Sequence, residues 1–478
     1  MKLNRESFFN IYLPIIIFLI AFCWKLVFIN SRDICIDEPF TIFHAQEGVW
    51  DILKLPANNE PNPPLFMLLL HFWIKLFGNS VMSVRFLPLL FNALTAVFIY
   101  FTGKKFFNTG SGVLASSLFI LSTYHFYFGL ETRTYSLLSM ATAGSLFFYL
   151  SLLRNPDNKK HIAALVFTNF LLIYSHFFGW FVVFIQFATT LLYLKDRKVF
   201  RTILITTVLT GVTFLPMAPI FIKQFLISSK GTWVQPPESF EFLNQLYFFS
   251  NSRFMLNFFA TILIIGIILM VLFRNFKTVK KEFFVILLWW LVPYTIMFFV
   301  SYKVPMFISR YILFNSIGYY LFLGIFINIF FKEIYAYIIS GVIIILMFYY
   351  IEINSKFLFY REVQNSVNHI KKYVNENTSI IIYPHWDHYG FMYYYNNDIF
   401  KNPYQFDSLL EKNKIYPSWN LDFAKGHLSK NLNNRVILFQ VGLEDKSIFK
   451  YLDTAYKRVD STFFPQCFVV GVFDVKNQ

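Results

Sequence analysis

The sequence predicts an all-α polytopic membrane protein that carries a small α/β domain at its carboxyl end. Three observations lead there. The 478 residues are 56% hydrophobic and only 14% charged, against roughly 25% charged for a soluble globular domain. The apolar residues fall in runs approaching the roughly 20 that a helix needs to cross a bilayer. The basic residues collect in short clusters between those runs. This pattern excludes an ordinary soluble enzyme. The formal charge of +15 is divided among inter-run clusters rather than laid along one face, so it reads as a topology signal and not as a nucleic-acid surface.

About eleven runs qualify as transmembrane helices. They cover approximately residues 10–30, 84–103, 111–129, 134–153, 161–175, 177–194, 202–221, 254–273, 283–301, 311–331 and 334–352. The fifth and sixth share one long apolar stretch, divided near Ser175 to Gly179. Lys2 and Arg5 precede the first run and no small-residue cleavage site follows it, so it is expected to be an uncleaved span. With the sides alternated, one set of loops gathers Lys2/Arg5, Lys104/Lys105, Arg154/Lys159/Lys160, Lys195/Arg197/Lys198/Arg201, Arg274/Lys277/Lys280/Lys281 and Lys332. By the positive-inside rule that side is cytoplasmic. The long segments 31–83, 222–253 and 353–478 then face outward. The chain is accordingly divided into a membrane domain, 1–352, and an extracytoplasmic domain, 353–478. Cys23, Cys35 and Cys467 are too few and too scattered for a disulfide framework or a zinc site.

The first outward loop is locally acidic: Asp33, Asp37, Glu38, Glu47, Asp51 and Glu60 stand against Arg32 and Lys54. Outward loops lose basic residues in any case, so charge alone does not make this a site. Asp37 is placed to cap a helix through EPFTIFHAQEGVWDILK, with Pro39 in its first turn, where a missing N–H costs nothing. That helix would set Phe43, Trp50 and Leu53 near one face and Glu47 and Asp51 on another, as an interfacial helix does. The following PNPPLFMLLLHFWIKLF has about fourteen apolar residues and carries His71 and Lys75. It is too short to span and is expected to be interfacial or re-entrant.

In the tail, TSIIIY and RVILFQVGLED read as short strands between polar helical or turn segments. Asn377-Thr378-Ser379 fits the N-glycosylation pattern, which carries no weight without a known source. His385-Trp386-Asp387-His388 has metal-capable side chains, but no third partner is evident and coincidence is the simpler account.

Several segments together resemble the polytopic type C glycosyltransferases. These are Asp37-Glu38 after the first span, Pro63-Pro64-Leu65, LHFWIKLFG (Leu70 to Gly78), Arg85 opening the second span, GLETRTYSLL (Gly129 to Leu138), YSHFFGWF (Tyr174 to Phe181) and ISRY (Ile308 to Tyr311). Each is weak alone; their order and common outward side make the set specific over roughly residues 10–330. The bacterial branch akin to protein O-mannosyltransferases and lipid A aminoarabinose transferases is the most similar. The resemblance implies a polyprenyl-phosphate sugar donor, an extracytoplasmic acceptor (glycan, lipid or protein), inversion at the anomeric carbon, and residence in the bacterial inner membrane with the site on its outer face. It implies Asp37 as the general base, with Glu38 beside it, and Glu60 as the second acidic position that binds substrate or a divalent metal, with Asn62 next to it. This chain reads Glu60-Pro61-Asn62-Pro63-Pro64 where relatives often carry His or Lys before the prolines, so a metal at Glu60 and no metal both stay open.

The chemistry needs such groups. An attacking hydroxyl must lose its proton, and a carboxylate within hydrogen-bond reach accepts it. The departing lipid phosphate gains charge, which an arginine fork, a lysine or a metal must face. Arg133 and Arg310 are the candidates for that fork, while Tyr135, His176 and Tyr311 are candidates for hydrogen bonds or an aromatic wall around the sugar. Each also has a plainer reading: the arginines as headgroup anchors at span ends, His176 as a satisfied structural histidine, the aromatic residues as packing. The rival functions are a transporter or lipid flippase, which would show related halves and interrupted midplane spans, and a receptor or scaffold, for which eleven spans are far more than an anchor requires.

Overall fold

The computed structural model describes residues 5–58, 60–272, 279–353, 361–430, 434–442, 445–465 and 468–476. Lys2, Arg274, Lys277, Ser355, Leu443, Glu444 and Cys467 lie outside them. The chain divides into two compact units. The first comprises Met1–Phe28, Leu53–Phe66 and Arg85–Asn354, the second Ile29–Ile52, Met67–Val84 and Ser355–Gln478.

The first unit is helical. Phe8–Leu26, Val81–Phe106, Tyr135–Arg154, Arg253–Leu272 and Lys281–Val300 are long and apolar enough to cross a membrane, and a bent pair makes a sixth. The expected count of eleven is not reached by these alone. Thr109–Ile120, Gly179–Tyr193, Asn315–Phe330 and Glu333–Tyr349 are shorter apolar helices. The run expected over 111–129 is broken at Leu121 and Ser122, and Ser122 starts a second helix, Thr123–Gly129, by accepting from the His125 N–H. The run expected over 202–221 is two helices, Arg197–Phe214 and Ala218–Ser228, bent by 83°. The cause is local: Pro216 supplies no N–H to continue the first helix, and Pro219 starts the second, where its fixed φ is favourable. The division near Ser175 to Gly179 is present, with His176 extended between Lys159–Ser175 and Gly179–Thr190.

The basic loops meet at one end of this unit. Lys104 donates to the Phe9 carbonyl at 2.6 Å, Arg154 to the Phe106 carbonyl at 3.0 Å and to Glu282 at 2.7 Å, and Lys280 to the Phe106 carbonyl at 3.0 Å. Small residues let helix backbones approach above it. A Cβ on Gly324 would stand 2.9 Å from the Ala115 nitrogen and the Ser111 carbonyl oxygen, a contact only glycine permits.

The second unit is an α/β domain. Its strands are β1 (Thr378–Tyr383), β2 (Ile415–Pro417), β3 (Arg435–Val441), β4 (Tyr456–Phe464) and β5 (Phe468–Val475), in the order β2-β1-β3-β5-β4. β1 is parallel to both β2 and β3, while β5 runs antiparallel to β3 and β4. Ile381, Leu438 and Phe473 pack with Leu428 and Leu452, which belong to the helices Leu421–Lys430 and Ser447–Ala455.

The unit also takes in residues 29–52 and 67–84, the greater part of the first outward loop. Asp33 accepts from the Gln364 N–H at 2.8 Å, the Ile34 N–H donates to the Tyr394 hydroxyl at 2.6 Å, and the Phe43 ring lies 4.5 Å from Phe406. The single interfacial helix expected there is two short ones, Glu38–His44 and Val49–Lys54. His44 Nδ1 and Glu47 stand 2.8 Å apart across the break, and Tyr404 bridges Gly48 and Asp51. Phe43 and Trp50 do not share a face: Phe43 is 4% exposed and Trp50 75%.

Candidate functional site

Four of the expected site residues come together in the first unit. Arg133 ends the turn after Thr123–Gly129, His176 lies between two helices, and Arg310 and Tyr311 lie in the turn before Asn315–Phe330. Thr134 ties two of these segments, its hydroxyl donating to the Ser175 carbonyl at 2.8 Å. The Tyr124 hydroxyl donates to the Ser309 carbonyl and fixes the third. The Tyr311 ring stands 5.5 Å from His176 and 5.1 Å from Phe178. The Arg310 guanidinium lies 4.7 Å over Trp233, the geometry of a cation–π contact.

Burial, then the positive charges of Arg133 and Arg310, push the His176 imidazole down to about 3. It is therefore neutral near pH 7. Its Nδ1 accepts from the Phe178 N–H at 3.2 Å, so the ring proton is assigned to Nε2. That nitrogen is buried and has no hydrogen-bond partner among the described residues. A neutral N–H donor between two guanidinium charges suits an anion with several oxygens.

The cluster lies at the end of the unit away from the basic loops. Tyr135–Arg154 begins next to Arg133 and ends at Arg154, a length of 20 residues, or about 30 Å. Lys159–Ser175 repeats this geometry, running from a basic end to His176. Tyr135 itself is 2% exposed, with its ring edge-on to Phe128 at 5.2 Å. In the same unit, Glu60 is buried and accepts from the Asn62 amide at 2.9 Å, while Gln224 donates to the Pro56 carbonyl at 2.9 Å. Among the described residues no three His, Cys, Asp or Glu side chains are grouped to hold a metal ion.

Asp37 and Glu38 belong to the second unit. Asp37 stands at the amino end of Glu38–His44 but in helical backbone geometry, and its side chain makes no capping bond, which corrects the expected cap. Thr41 instead donates its hydroxyl to the Asp37 carbonyl at 3.1 Å. Glu38 is 2% exposed and Asp37 half-buried, so the two adjacent carboxylates occupy different environments.

Two groups escaped the sequence reading. Lys25 is fully buried in the first long helix, where it donates to Asn92; the Asn92 amide reaches the His125 carbonyl at 3.4 Å, and His125 Nε2 is 2.6 Å from the Ser316 hydroxyl. One lysine in an apolar run is easily passed over, although a cation at membrane depth is a signal in itself. The other is Asp387, whose Oδ1 accepts from Arg361 at 3.2 Å while Oδ2 is buried without a hydrogen-bond partner. In the sequence it stands only as one of three metal-capable side chains, with His385 and His388.

The family described as dolichyl-phosphate-mannose-protein mannosyltransferase matches residues 61–222. No curated protein matches the chain. Among solved structures, ArnT from Cupriavidus metallidurans bound to undecaprenyl phosphate is similar over 99% of this chain and 98% of its own, at 10% identity and a TM-score of 0.60. Its apo form is similar over 96% and 97%, at 12% identity and a TM-score of 0.59. The archaeal oligosaccharyltransferase AglB from Archaeoglobus fulgidus, in complex with an inhibitory peptide and a dolichol-phosphate, is similar over 97% of this chain and 74% of its own, at 11% identity and a TM-score of 0.53. At such identities the likeness is one of fold, and it extends over both the helical unit and the small sheet.

Proposed function

We propose that this chain, a type C glycosyltransferase by fold and by the mannosyltransferase match over residues 61–222, is an integral membrane enzyme that moves a sugar from a polyprenyl-phosphate donor to an extracytoplasmic acceptor. The observation that carries the reading is the group of Arg133, His176, Arg310 and Tyr311 at the helix ends opposite the basic loops. Two guanidinium groups and a neutral imidazole N–H form a phosphate-binding set, and the positive-inside rule assigns their end of the helices to the outer face of the membrane. The two similar structures that contain undecaprenyl phosphate and a dolichol-phosphate support the lipid-phosphate class of donor. The bacterial inner membrane is the compartment that fits such a carrier.

The proposed reaction is a single displacement. The acceptor hydroxyl attacks the anomeric carbon, its proton passes to a carboxylate base, the role that the family resemblance gives to Asp37, and the bond to the lipid phosphate breaks with inversion. Charge then gathers on the phosphate oxygens, where Arg310, supported by Arg133 and the His176 N–H, is worth most because it acts in a water-poor site. Tyr311 and Tyr135 line the sugar's surroundings, and Asn62 orients Glu60 for substrate. A divalent metal, if one takes part, would bind through Glu60. The test is release of free polyprenyl phosphate from a panel of polyprenyl-phosphate sugars by the full chain in nanodiscs. Turnover of at least one donor is expected; inertness toward all of them, hexose and pentose alike, would overturn the reading.

A further inference from the structure

In the second unit, β1 is followed by β2 on one side and β3 on the other, all three parallel. The carboxyl edge of β1 and β3 is therefore a topological switch point, where open α/β sheets form a ligand crevice. A cleft is present there, bounded by Trp386 and Asp387 just beyond β1, Phe439 on β3, Arg361, and Ile36 and Pro39 on either side of the Asp37-Glu38 pair. It has room for about one water-sized group. Asp387 Oδ2 is buried in its wall and lacks a hydrogen-bond donor, while Oδ1 is held by Arg361 at 3.2 Å. Trp386 at the rim of the cleft and Trp419 beyond it are 60% and 59% exposed, unusual for the largest apolar side chain. Both pack on His385, Trp386 edge-on and Trp419 face to face.

We propose that this crevice binds the acceptor, and that the acceptor is a carbohydrate. One sugar hydroxyl enters the cleft and donates to Asp387 Oδ2, and the ring lies outside it against the Trp386 and Trp419 indoles. A pyranose presents both elements required: a hydroxyl able to donate and accept, and a flat C–H face that packs on an aromatic ring. An anionic lipid headgroup fits poorly, because the open position is occupied by a carboxylate oxygen. The borders of the cleft flank Asp37, so with one hydroxyl anchored on Asp387 a second hydroxyl of the same sugar is one that the proposed base can serve. Burial, with the neighbouring Asp37 charge opposing Arg361, pushes the Asp387 carboxyl up to about 6. It is mostly ionised near pH 7, the form that accepts a hydrogen bond from a hydroxyl.

The inference rests on the glycosyltransferase reading but is tested without donor. The full chain in nanodiscs is titrated with neutral methyl glycosides and disaccharides, with saturation-transfer NMR and indole fluorescence as readouts. At least one glycoside should receive saturation and quench fluorescence. Trp386→Ala should weaken its Kd on the order of tenfold, the loss of about 1.4 kcal/mol, and Trp386→Phe should restore most of it. Asp387→Ala should reduce binding further. Binding of no glycoside to the wild type would overturn the proposal, as would binding untouched by Trp386→Ala or by Trp419→Ala, or quenching by phosphatidylglycerol vesicles in place of glycosides. Donor turnover without glycoside binding would refute this site alone; glycoside binding without turnover of any donor would refute the enzymatic reading.

Discussion

The Thr134 hydroxyl donates to the Ser175 carbonyl at 2.8 Å, and so binds the residue after Arg133 to the residue before His176. Through this bond two turns separated by more than one membrane-length helix present their polar side chains together. In this position the His176 Nε2 proton has no hydrogen-bond partner among the described residues. His176→Phe keeps a ring against Tyr311 and Phe178 but removes that donor. Donor turnover should fall by on the order of tenfold to a hundredfold, the scale of one hydrogen bond to a charged group, with little change in thermal stability. Because the imidazole lies near 3, the wild-type pH profile should contain no inflection between pH 5 and 8 that disappears in this variant. Full turnover by the variant would leave His176 as packing only.

Arg310 is expected to act through its planar fork as well as its charge. Arg310→Lys preserves the charge but loses bidentate pairing with phosphate and the flat contact with Trp233. Donor affinity and turnover should both drop, by about tenfold or more in affinity. Arg133→Lys serves as the comparison. Normal donor binding by both lysine variants would move the phosphate to other groups and raise the standing of a metal at Glu60.

Much of this arrangement was legible in the sequence, and the part that was not has physical causes. Helix existence follows from apolar runs, and the breaks at Ser175 to Gly179 and at Leu215 to Met217 coincide with residues that interrupt helices, although the expected spans include only the first. Pro216 and Pro219 were the available signal for the second. Gly48 was likewise the signal that EPFTIFHAQEGVWDILK would not form one helix. The meeting of Arg133, His176 and Arg310 was expected only through motif order, since periodicity says nothing about which span ends converge. The assembly of residues 29–52 with the carboxyl-terminal sheet, through contacts such as Asp33 to Gln364, joins positions more than 300 apart, and no local pattern encodes it.

Sidedness has a direct test in the first unit. Cysteine placed at Lys198, whose side chain is 73% exposed, should react with an impermeant maleimide only after the membrane is permeabilised. Cysteine placed at Gly231, where the left-handed backbone strains a side chain but nothing stands within 4 Å of a new Cβ, should react in intact cells. The reverse result would invert the topology and with it the extracytoplasmic assignment of the phosphate cluster.

His388 should make the second unit sensitive to acid. Burial is the main cause that pushes it down to about 4 from an ordinary 6.5. The unfolded chain therefore binds a proton that the folded chain refuses, so the His388 contribution is present above pH 6.5 and is lost as pH falls toward 4. Asp387 works in the opposite sense: its folded value of about 6 exceeds the unfolded 3.8, so its contribution grows as pH falls through that window. Removing the histidine should expose the difference. Relative to wild type, His388→Gln should gain stability as pH is lowered from 7 to 4.5, by at most about 1.4 kcal/mol per pH unit, read as the change in Tm difference. A constant difference across that range would show that His388 takes up its proton as readily in the folded unit as in the unfolded chain.

Asp37 and Glu38 are adjacent carboxylates with separable roles. Asp37 makes no capping bond to its helix, so Asp37→Asn should change thermal stability little. If its carboxylate accepts or orients the acceptor proton, turnover should fall by about two to four orders of magnitude, the range for a positioned base, while donor binding persists. Glu38 is 2% exposed in the first helical turn, a depth at which favourable interaction with the helix dipole, roughly 0.3 to 1 kcal/mol, is no longer the whole of its role. Glu38→Gln should lower stability by about 1 to 3 kcal/mol, the cost of disturbing a buried polar group, and retain most of the turnover per folded molecule. Donor turnover, donor affinity and Tm measured on both variants decide the assignment. A stable Asp37→Asn protein with full turnover would remove Asp37 from the mechanism and transfer the role of base to Glu38 or Glu60, whereas a Glu38→Gln protein that is stable but inactive would exchange the roles of the pair.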